Sequence, residues 1–501
     1  MRAERNKRVK GICLVVILML ITVFSKVLGL ARETMLAYFY GTSGIIDIFV
    51  LATSVPKVLF GCLDAVAVTI VPIYIKRKKT YSQENANKAI NNIISWTFIV
   101  SVMVLFITEL LCPRIVNLFD VGHYENRNLL IFLRITLFTV VFNPMAQIYL
   151  SLSRCDGKQI KAQIFELFIS GVQIIFIVAS GLMLKPILLP LGYLLSILVC
   201  YFCSYCNTNN KFVIDLTRGE TLKEAVRLVI PAFWGSTIIQ INALIDKIFA
   251  STLVAGMVSA LNYANIVKNL FYALFTAPMI NIYYPRITAS ISVKDYKQTR
   301  KEVSDVLSFM LLFLVPSTYF CLFFSDEIMK LFFFRGAFNI DSLEITSAAF
   351  RMYAIGIIAI CLREVFVRCY YALNKTKEII WINIISVIIN IVLNATLIES
   401  FEQAGLALAT SLSAILVLPF WIRGASKEYI IRAKKLFFLI LKYIIFSIPI
   451  VIEMTIFKKV YVFPNSVLEQ IIYFSILLLI GLILYLPTIL MTLKNTRRKQ
   501  Y

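Results

Sequence analysis

Charged side chains interrupt several of the long apolar runs of this chain, where a charge is costly and marks a functional position by default. Lys26, Arg32 and Glu33 belong to the first run, Asp47 and Asp64 flank the second, and Lys57 lies inside it. Farther along come Asp246 and Lys247, then Lys268, then Arg363 and Glu364. Lys and Arg are the residues that clamp an anionic group such as a phosphate, Arg as a bidentate fork and Lys as a point charge. The carboxylates could accept Na⁺ or H⁺, or latch one part of the protein to another. Arg32/Glu33, Asp246/Lys247 and Arg363/Glu364 are sequence neighbours that point in different directions around a helix, so they are expected to neutralise each other poorly. Arg32 and Asp47, near the ends of their runs, could snorkel or cap. Lys57 and Lys268, near mid-span, are the least open to that explanation.

Covalent chemistry finds little support. His123 is the only histidine and falls in an expected outer loop. There is no His/Glu metal spacing, no Ser/His/Asp set and no phosphate-cradling Gly loop, so no catalytic residue and no metal site is expected. Cys200, Cys203 and Cys206 have a spacing that can ligate an iron–sulfur cluster. No fourth Cys followed by Pro lies nearby, and the three read as one face of a helix near its cytoplasmic end, with palmitoylation as the alternative.

The elements that must position the charges follow from composition. Of 501 residues, 59% are hydrophobic, and the mean hydropathy is +0.82, so the membrane is the solvent for this fold. Backbone polar groups in lipid must be satisfied within helices, which makes the chain an all-α polytopic membrane protein. About fourteen apolar spans are predicted, at 11–31, 45–75, 88–112, 128–153, 160–182, 186–206, 224–250, 255–285, 303–324, 343–372, 378–399, 404–422, 436–456 and 468–491. No cleavable signal peptide is expected at the start. The formal charge of +22 is concentrated in every second gap, as in Lys76 to Lys79, Arg154 to Lys161, Arg286 to Lys301 and Arg423 to Lys435. Gaps 251–256 and 400–403 have neither Lys nor Arg. This alternation predicts both termini in the cytoplasm and explains the charge by topology and anionic headgroups, without nucleic acid.

The chain also repeats itself. Residues 36–52 align without gaps on residues 249–265, and Tyr149 to Arg154 resembles Tyr370 to Lys375 at a similar offset. Duplication of a six-helix unit follows: an N-lobe at 1–210, a C-lobe at 211–425, and two extra helices with a basic tail at 426–501. An even number of spans per unit keeps the copies parallel, an arrangement that can rock between inward-open and outward-open states. Spans 13 and 14 are nearly bare of charge, with Lys442 near one end and Glu453 near the other.

Ser25-Lys26-Val27-Leu28-Gly29-Leu30-Ala31-Arg32-Glu33 resembles the opening block of the MurJ (MviN) family, flippases of the lipid-linked peptidoglycan precursor lipid II. Tyr40-Gly41 followed by Asp47-Ile48-Phe49 is similar to its next block. So are Ile245 to Ser251, Leu331 to Phe338 and Ala404 to Ser411. The resemblance implies a V-shaped bundle of two six-helix lobes with a cationic central cavity, and spans 13 and 14 as an apolar groove for a polyprenyl tail. It implies Lys26 and Arg32 as headgroup ligands; Lys57, Lys268 and Arg363 join them as candidate cations by their intramembrane position alone. Glu33 and Asp47 would gate or latch, with Asp64 and Glu364 in the same class. Asp246 would be a cation ligand with Asn390 and Asn394, whose i, i+4 spacing equally suits interhelical glue. The family's Arg pair after Pro-Asn-Leu-Leu is absent after Pro56-Lys57-Val58-Leu59, and its Tyr-Ala-Asp-Arg becomes Tyr263-Ala264-Asn265-Ile266. Lys does not copy a guanidinium fork, so the headgroup stays open between lipid II and a capsule, exopolysaccharide or teichoic-type precursor.

The expected activity is therefore translocation of an undecaprenyl-diphosphate-linked saccharide from the inner to the outer leaflet of a bacterial plasma membrane. A monomer is expected, working without a cofactor beyond coupled Na⁺ or H⁺. A cation-coupled multidrug exporter would want a cavity rich in carboxylate and aromatic groups. A polysaccharide polymerase would want large outer loops, and an inert scaffold leaves the intramembrane charges unexplained.

Overall fold

A computed structural model describes residues 2–119, 126–208, 210, 212–464 and 466–498. Side chains are described from 17 to 492, except at the unplaced positions and at 60, 62, 64, 65, 68, 221, 231, 232 and 234–236. His123 and the side chain of Asp64 lie outside the described residues. Within these limits the chain is helical throughout, without a strand, as burial of backbone in lipid requires.

The helices are α1 (Arg2–Tyr40), α2 (Gly44–Thr80), α3 (Gln83–Val116), α4 (Asn126–Leu137), α5 (Thr139–Cys155), α6 (Gln159–Met183), α7 (Leu188–Asn207), α8 (Glu220–Ser251) and α9 (Met257–Phe271). A π turn at Tyr272–Thr276 follows, then α10 (Ala277–Ser292), α11 (Tyr296–Phe323), α12 (Ser325–Phe333), α13 (Ile340–Ala372), α14 (Thr376–Lys427), α15 (Ala433–Phe446), α16 (Ile448–Val460) and α17 (Val467–Arg498). Side-chain caps fix several starts: Ser82, Asp295 and Asn339 accept from the backbone N–H three residues on at the beginnings of α3, α11 and α13.

Three expected spans are broken, each beside a proline or a local defect. Span 128–153 divides between α4 and α5 at Phe138, and 436–456 divides at Ser447, just before Pro449. Span 255–285 carries the π turn immediately before Pro278, whose ring cannot continue the regular ladder behind it. Spans 378–399 and 404–422 are the two helical halves of α14, separated by the non-helical Glu402 (φ 48°, ψ −130°). Nine helical segments among the described residues are long and apolar enough to cross a membrane. The expectation of fourteen goes further: α14 holds two expected spans, and α1, α2 and α8 include side chains outside the description.

Packing divides the chain into two compact units, one of residues 1–259 with 335–338, the other of residues 260–334 with 339–501. They are groupings by contact, whereas the expected lobes are groupings by repeat. Within the aligned segments, α2 begins at Gly44 and α9 at Met257, 213 residues on. In the first unit α2 is the central post, packed by α3, α4, α5 and α8. Ile70, Ile73, Tyr74, Ile90, Ile94, Ile148 and Tyr149 form its buried core near one end. In the second unit α13 and α14 lie closest, because small residues let their backbones approach. A Cβ at Gly356 would collide with Ser411, and one at Gly424 with the Tyr370 hydroxyl.

Candidate functional site

In the first unit, α1, α2 and α8 bring four charges together. Arg32 on α1 donates through Nε (3.0 Å) and Nη2 to Glu33 Oε1 and through Nη1 to Gln173 Oε1 on α6 (2.9 Å). Gln173 Nε2 in turn donates to Ser196 Oγ on α7 (2.9 Å), so a buried polar chain ties the guanidinium to two further helices. Lys247 on α8 donates to Ser54 Oγ on α2 (2.6 Å). Lys57, one turn from Ser54, lies in electrostatic range of Arg32 and Glu33, and Lys247 in range of Lys57, Glu33 and Asp246. Three cations thus gather about Glu33, with Asp246, a fifth charge, beside Lys247. Lys57 keeps an exposed side chain near mid-span, and Arg32 and Lys247 are partly exposed. A mid-span ammonium that stays accessible among like charges suits an aqueous, anion-seeking cavity wall, since hydrocarbon would expel it. Lys26 is exposed on α1, six residues before Arg32, and makes no hydrogen bond or ion pair with the described residues.

Asp47 is fully buried at the start of α2, and its job is visible. Oδ2 accepts from Gly256 N (2.6 Å) and Oδ1 from Ser259 N (2.7 Å), so the carboxylate caps the first turn of α9. Around it three left-handed glycines interlock. Gly256 (φ 99°) leaves no room for a Cβ against Thr42 O, nor does Gly41 (φ 56°) against Ala337 O or Gly336 (φ 60°) against Tyr38 O. Ala337 N donates to Tyr38 O (2.8 Å), pinning the 335–338 turn onto the end of α1. Asp47 thus holds the start of α9 to the start of α2.

The remaining candidates lie in the second unit. Lys268 Nζ stands 4.3 Å from the Tyr353 ring centroid, a cation–π contact between α9 and α13. Arg363 Nη2 donates to Glu364 Oε1 (2.8 Å) on α13. Asn390 and Asn394 are fully buried on α14, and Asn394 Nδ2 donates to Asn390 Oδ1 (3.2 Å). Asn390 Nδ2 finds no acceptor among the described residues. Asp246, 7% exposed, belongs to the first unit and the Asn pair to the second.

The expectation that adjacent charges cannot neutralise each other is overturned for Arg32/Glu33 and Arg363/Glu364, which form ion pairs. A guanidinium on three methylenes can bend back across the angle between consecutive helical residues. Lys247 does follow the expectation: it reaches away from Asp246 to another helix. Its part in the charge cluster, and those of Ser54, Gln173 and Ser196, were not predicted. Lys247 was visible as an intramembrane charge, but the three polar residues are too ordinary in apolar helices to stand out.

An all-α bundle with a polar, net-cationic site among its spans fits a membrane transporter. The fold agrees: the chain overlays an inward-facing MATE-family multidrug transporter of the MOP superfamily with a TM-score of 0.68, at 13% identity, over 81% of this chain and 95% of that one. A solved lipid II flippase MurJ in an inward closed conformation overlays better, with a TM-score of 0.80 at 23% identity over 95% of this chain and all of that one. The model of the lipid II flippase MurJ family matches residues 36–480, and the chain belongs to that family. Relatives described as probable lipid II flippase MurJ include that of Treponema pallidum, 23% identical over 80% of this chain and 78% of its own. That of Borreliella burgdorferi is 24% identical over 89% of each.

Proposed function

We propose that this protein flips an undecaprenyl-diphosphate-linked saccharide, lipid II or a related cell-envelope precursor, from the inner to the outer leaflet by alternating access. The cluster of Arg32, Lys57 and Lys247 around Glu33 carries the reading. A diphosphate bridging a lipid and a sugar is a dianion, and three cations against Glu33 and Asp246 leave an excess of positive charge that attracts it. The site contributes binding and release only, as no bond of the substrate is made or broken in flipping. Lys26 extends the positive path along α1, and Lys268 and Arg363 are further headgroup contacts for a later stage of the cycle. Glu33 holds Arg32 in place until the phosphates compete for it. Asp47 keeps the α2–α9 junction closed, with Asp64 and Glu364 in gating roles. Asp246 is a place for a coupled Na⁺ or H⁺, and Asn390 and Asn394 of the second unit are candidates for the same role. The protein would work as a monomer in the bacterial plasma membrane, with both termini cytoplasmic and no nucleic-acid partner.

Proteoliposomes holding the purified protein, fluorescent lipid II and one other undecaprenyl-diphosphate glycan supply the test. Labelled lipid should become accessible to an external quencher or enzyme only with protein present, and emerge chemically intact. A cleaved or elongated product, or export of organic cations in its place, would sink this assignment.

A further inference from the structure

A second amphipathic site lies away from the charge cluster, in the second unit, where the last turns of α14 meet the first half of α15. A groove of ≈ 580 Å³ runs there. Its wall is apolar, formed by Pro419 and Ile422 of α14 with Leu436, Phe437 and Ile440 of α15. Its end is polar: Arg423, Ser426 and Lys427. Arg423 and Lys427 are exposed one turn apart and form no hydrogen bond or ion pair with the described residues. Ser426 Oγ is buried at the same end without a hydrogen-bond partner among the described residues. Glu428, which could have neutralised the pair, is already engaged by Lys375 Nζ.

The adjoining surface adds to the field. Lys297, Arg300 and Lys301 of α11 face Arg432 and Lys435 at the start of α15 across a hollow of ≈ 240 Å³. Arg300 is fixed there by donating to Tyr429 O (2.7 Å). The charge alternation of the sequence assigns this end of α14 and α15 to the cytoplasmic side. An apolar channel opening beside unpaired cations at the cytoplasmic membrane surface has the chemistry of a phosphate headgroup with an acyl chain attached.

We propose that the α14–α15 groove binds an anionic glycerophospholipid of the cytoplasmic leaflet. Its phosphate sits between Arg423 and Lys427 with the Ser426 hydroxyl donating, and one acyl chain lies along Leu436, Phe437 and Ile440. The chain commits the site to a lipid, because a free phosphate has no use for the apolar wall. The single-phosphate headgroup matches two unpaired cations one helical turn apart. Such a lipid would tie α15, and with it the last two spans, to the end of α14.

Native mass spectrometry of the full-length protein, titrated with dioleoyl phosphatidylglycerol or dioleoyl phosphatidylcholine, reads this directly and observes only folded protein. Phosphatidylglycerol should bind roughly tenfold more tightly, as charge-assisted contacts to two cations imply. Arg423→Gln with Lys427→Gln should bring it down to the phosphatidylcholine level. Ala433→Trp, which fills the groove without touching charge, should weaken the dioleoyl lipid while leaving dihexanoyl phosphatidylglycerol unchanged. Equal binding of the two lipids by the wild type, or an undiminished preference in the double variant, overturns the proposal. So does displacement of phosphatidylglycerol by an equal concentration of undecaprenyl diphosphate, which would hand the groove to the transported lipid. Flipping is not read in this experiment, so its failure leaves the assignment of the charge cluster standing.

Discussion

Lys57 and Lys247 lie in electrostatic range of Glu33 and of each other, in a chain that lacks the arginines expected after Pro56 and at Ile266. Lys57 was legible as a mid-span charge. Lys247 was legible only as half of a neighbouring pair, because sequence adjacency does not say that its ammonium crosses to Ser54 on another helix. Charge-assisted contacts are worth about 1.5–3 kcal/mol each, so Lys57→Ala and Lys247→Ala should each lower the flipping rate about tenfold or more. Lys57→Arg should keep most of it. Gln173→Leu should act more weakly, since it frees Arg32 from one hydrogen bond without removing charge. Flipping rates in proteoliposomes at matched protein density check all four, and wild-type rates in both alanine variants would make the lysines structural. Asp47 gives a sharper contrast between capping and charge. Its two bonds to the α9 backbone are of the N-cap kind, worth about 0.5–2 kcal/mol. Asp47→Ala should lower the melting temperature in detergent. Asp47→Asn keeps one acceptor oxygen but turns an NH2 toward the second backbone N–H, so it should recover at most part of the loss. Full recovery by Asn would mean that one capping bond suffices and the charge is dispensable.

At the scale of elements, apolar runs located the helices because lipid burial leaves the backbone no alternative to helix. The interruptions were less visible. Pro278 and Pro449 explain two of them, but nothing at Glu402 announces a left-handed residue inside α14. The glycine turn joining α1, α2, α9 and residues 335–338 was likewise hidden, because the need for Gly256 comes from Thr42, far off in sequence. Gly256→Ala should therefore cost more stability than a Gly→Ala change at Gly29, where a Cβ meets nothing within 4 Å; thermal melts of the two variants decide. The connector between α7 and α8 makes a different commitment. Asn92 Nδ2 donates to Asp215 O (3.1 Å) and Thr217 O (2.8 Å), and Asp215 N donates to Ser95 Oγ (3.0 Å), so residues 212–219 are strapped to α3. The Thr217 backbone N–H and hydroxyl, donating to Asp215 Oδ1, hold that carboxyl below its usual range. A carboxyl whose folded pKa is depressed contributes stability that is present above its unfolded value and is lost as pH falls through the folded one. Hydrogen exchange in residues 212–219 should therefore quicken as pH drops below about 4, beyond the intrinsic pH trend. Asp215→Asn should remove that extra component. An identical pH profile in the two proteins would mean that the loop is held by Asn92 and Ser95 alone.

For the molecule as a whole, the alternation of basic and basic-poor gaps fixes what the membrane potential can do. The sequence contains no nucleotide-binding motif, so flipping must be driven by an ion gradient, by the potential or by consumption of product outside. With the inside negative, outward movement of an anionic headgroup is downhill by about 2.3 kcal/mol per charge per 100 mV. The cationic cluster travels outward with the headgroup and returns empty, so its own charge cancels over the cycle and the net electrical work is that of the headgroup alone. A coupled cation at Asp246 entering from outside would add to this drive. The two drives separate in proteoliposomes with a K⁺ diffusion potential. Imposing an inside-negative potential with valinomycin should accelerate outward flipping several-fold at constant pH and Na⁺, and reversing its sign should slow it. If a cation also couples, Asp246→Asn should keep the potential response and lose any dependence on Na⁺ or on the pH gradient. Flipping indifferent to potential, Na⁺ and pH, with Asp246→Asn fully active, would leave mass action as the sole drive. Asp246 would then be a buried structural carboxyl beside Lys247 and no part of an ion site.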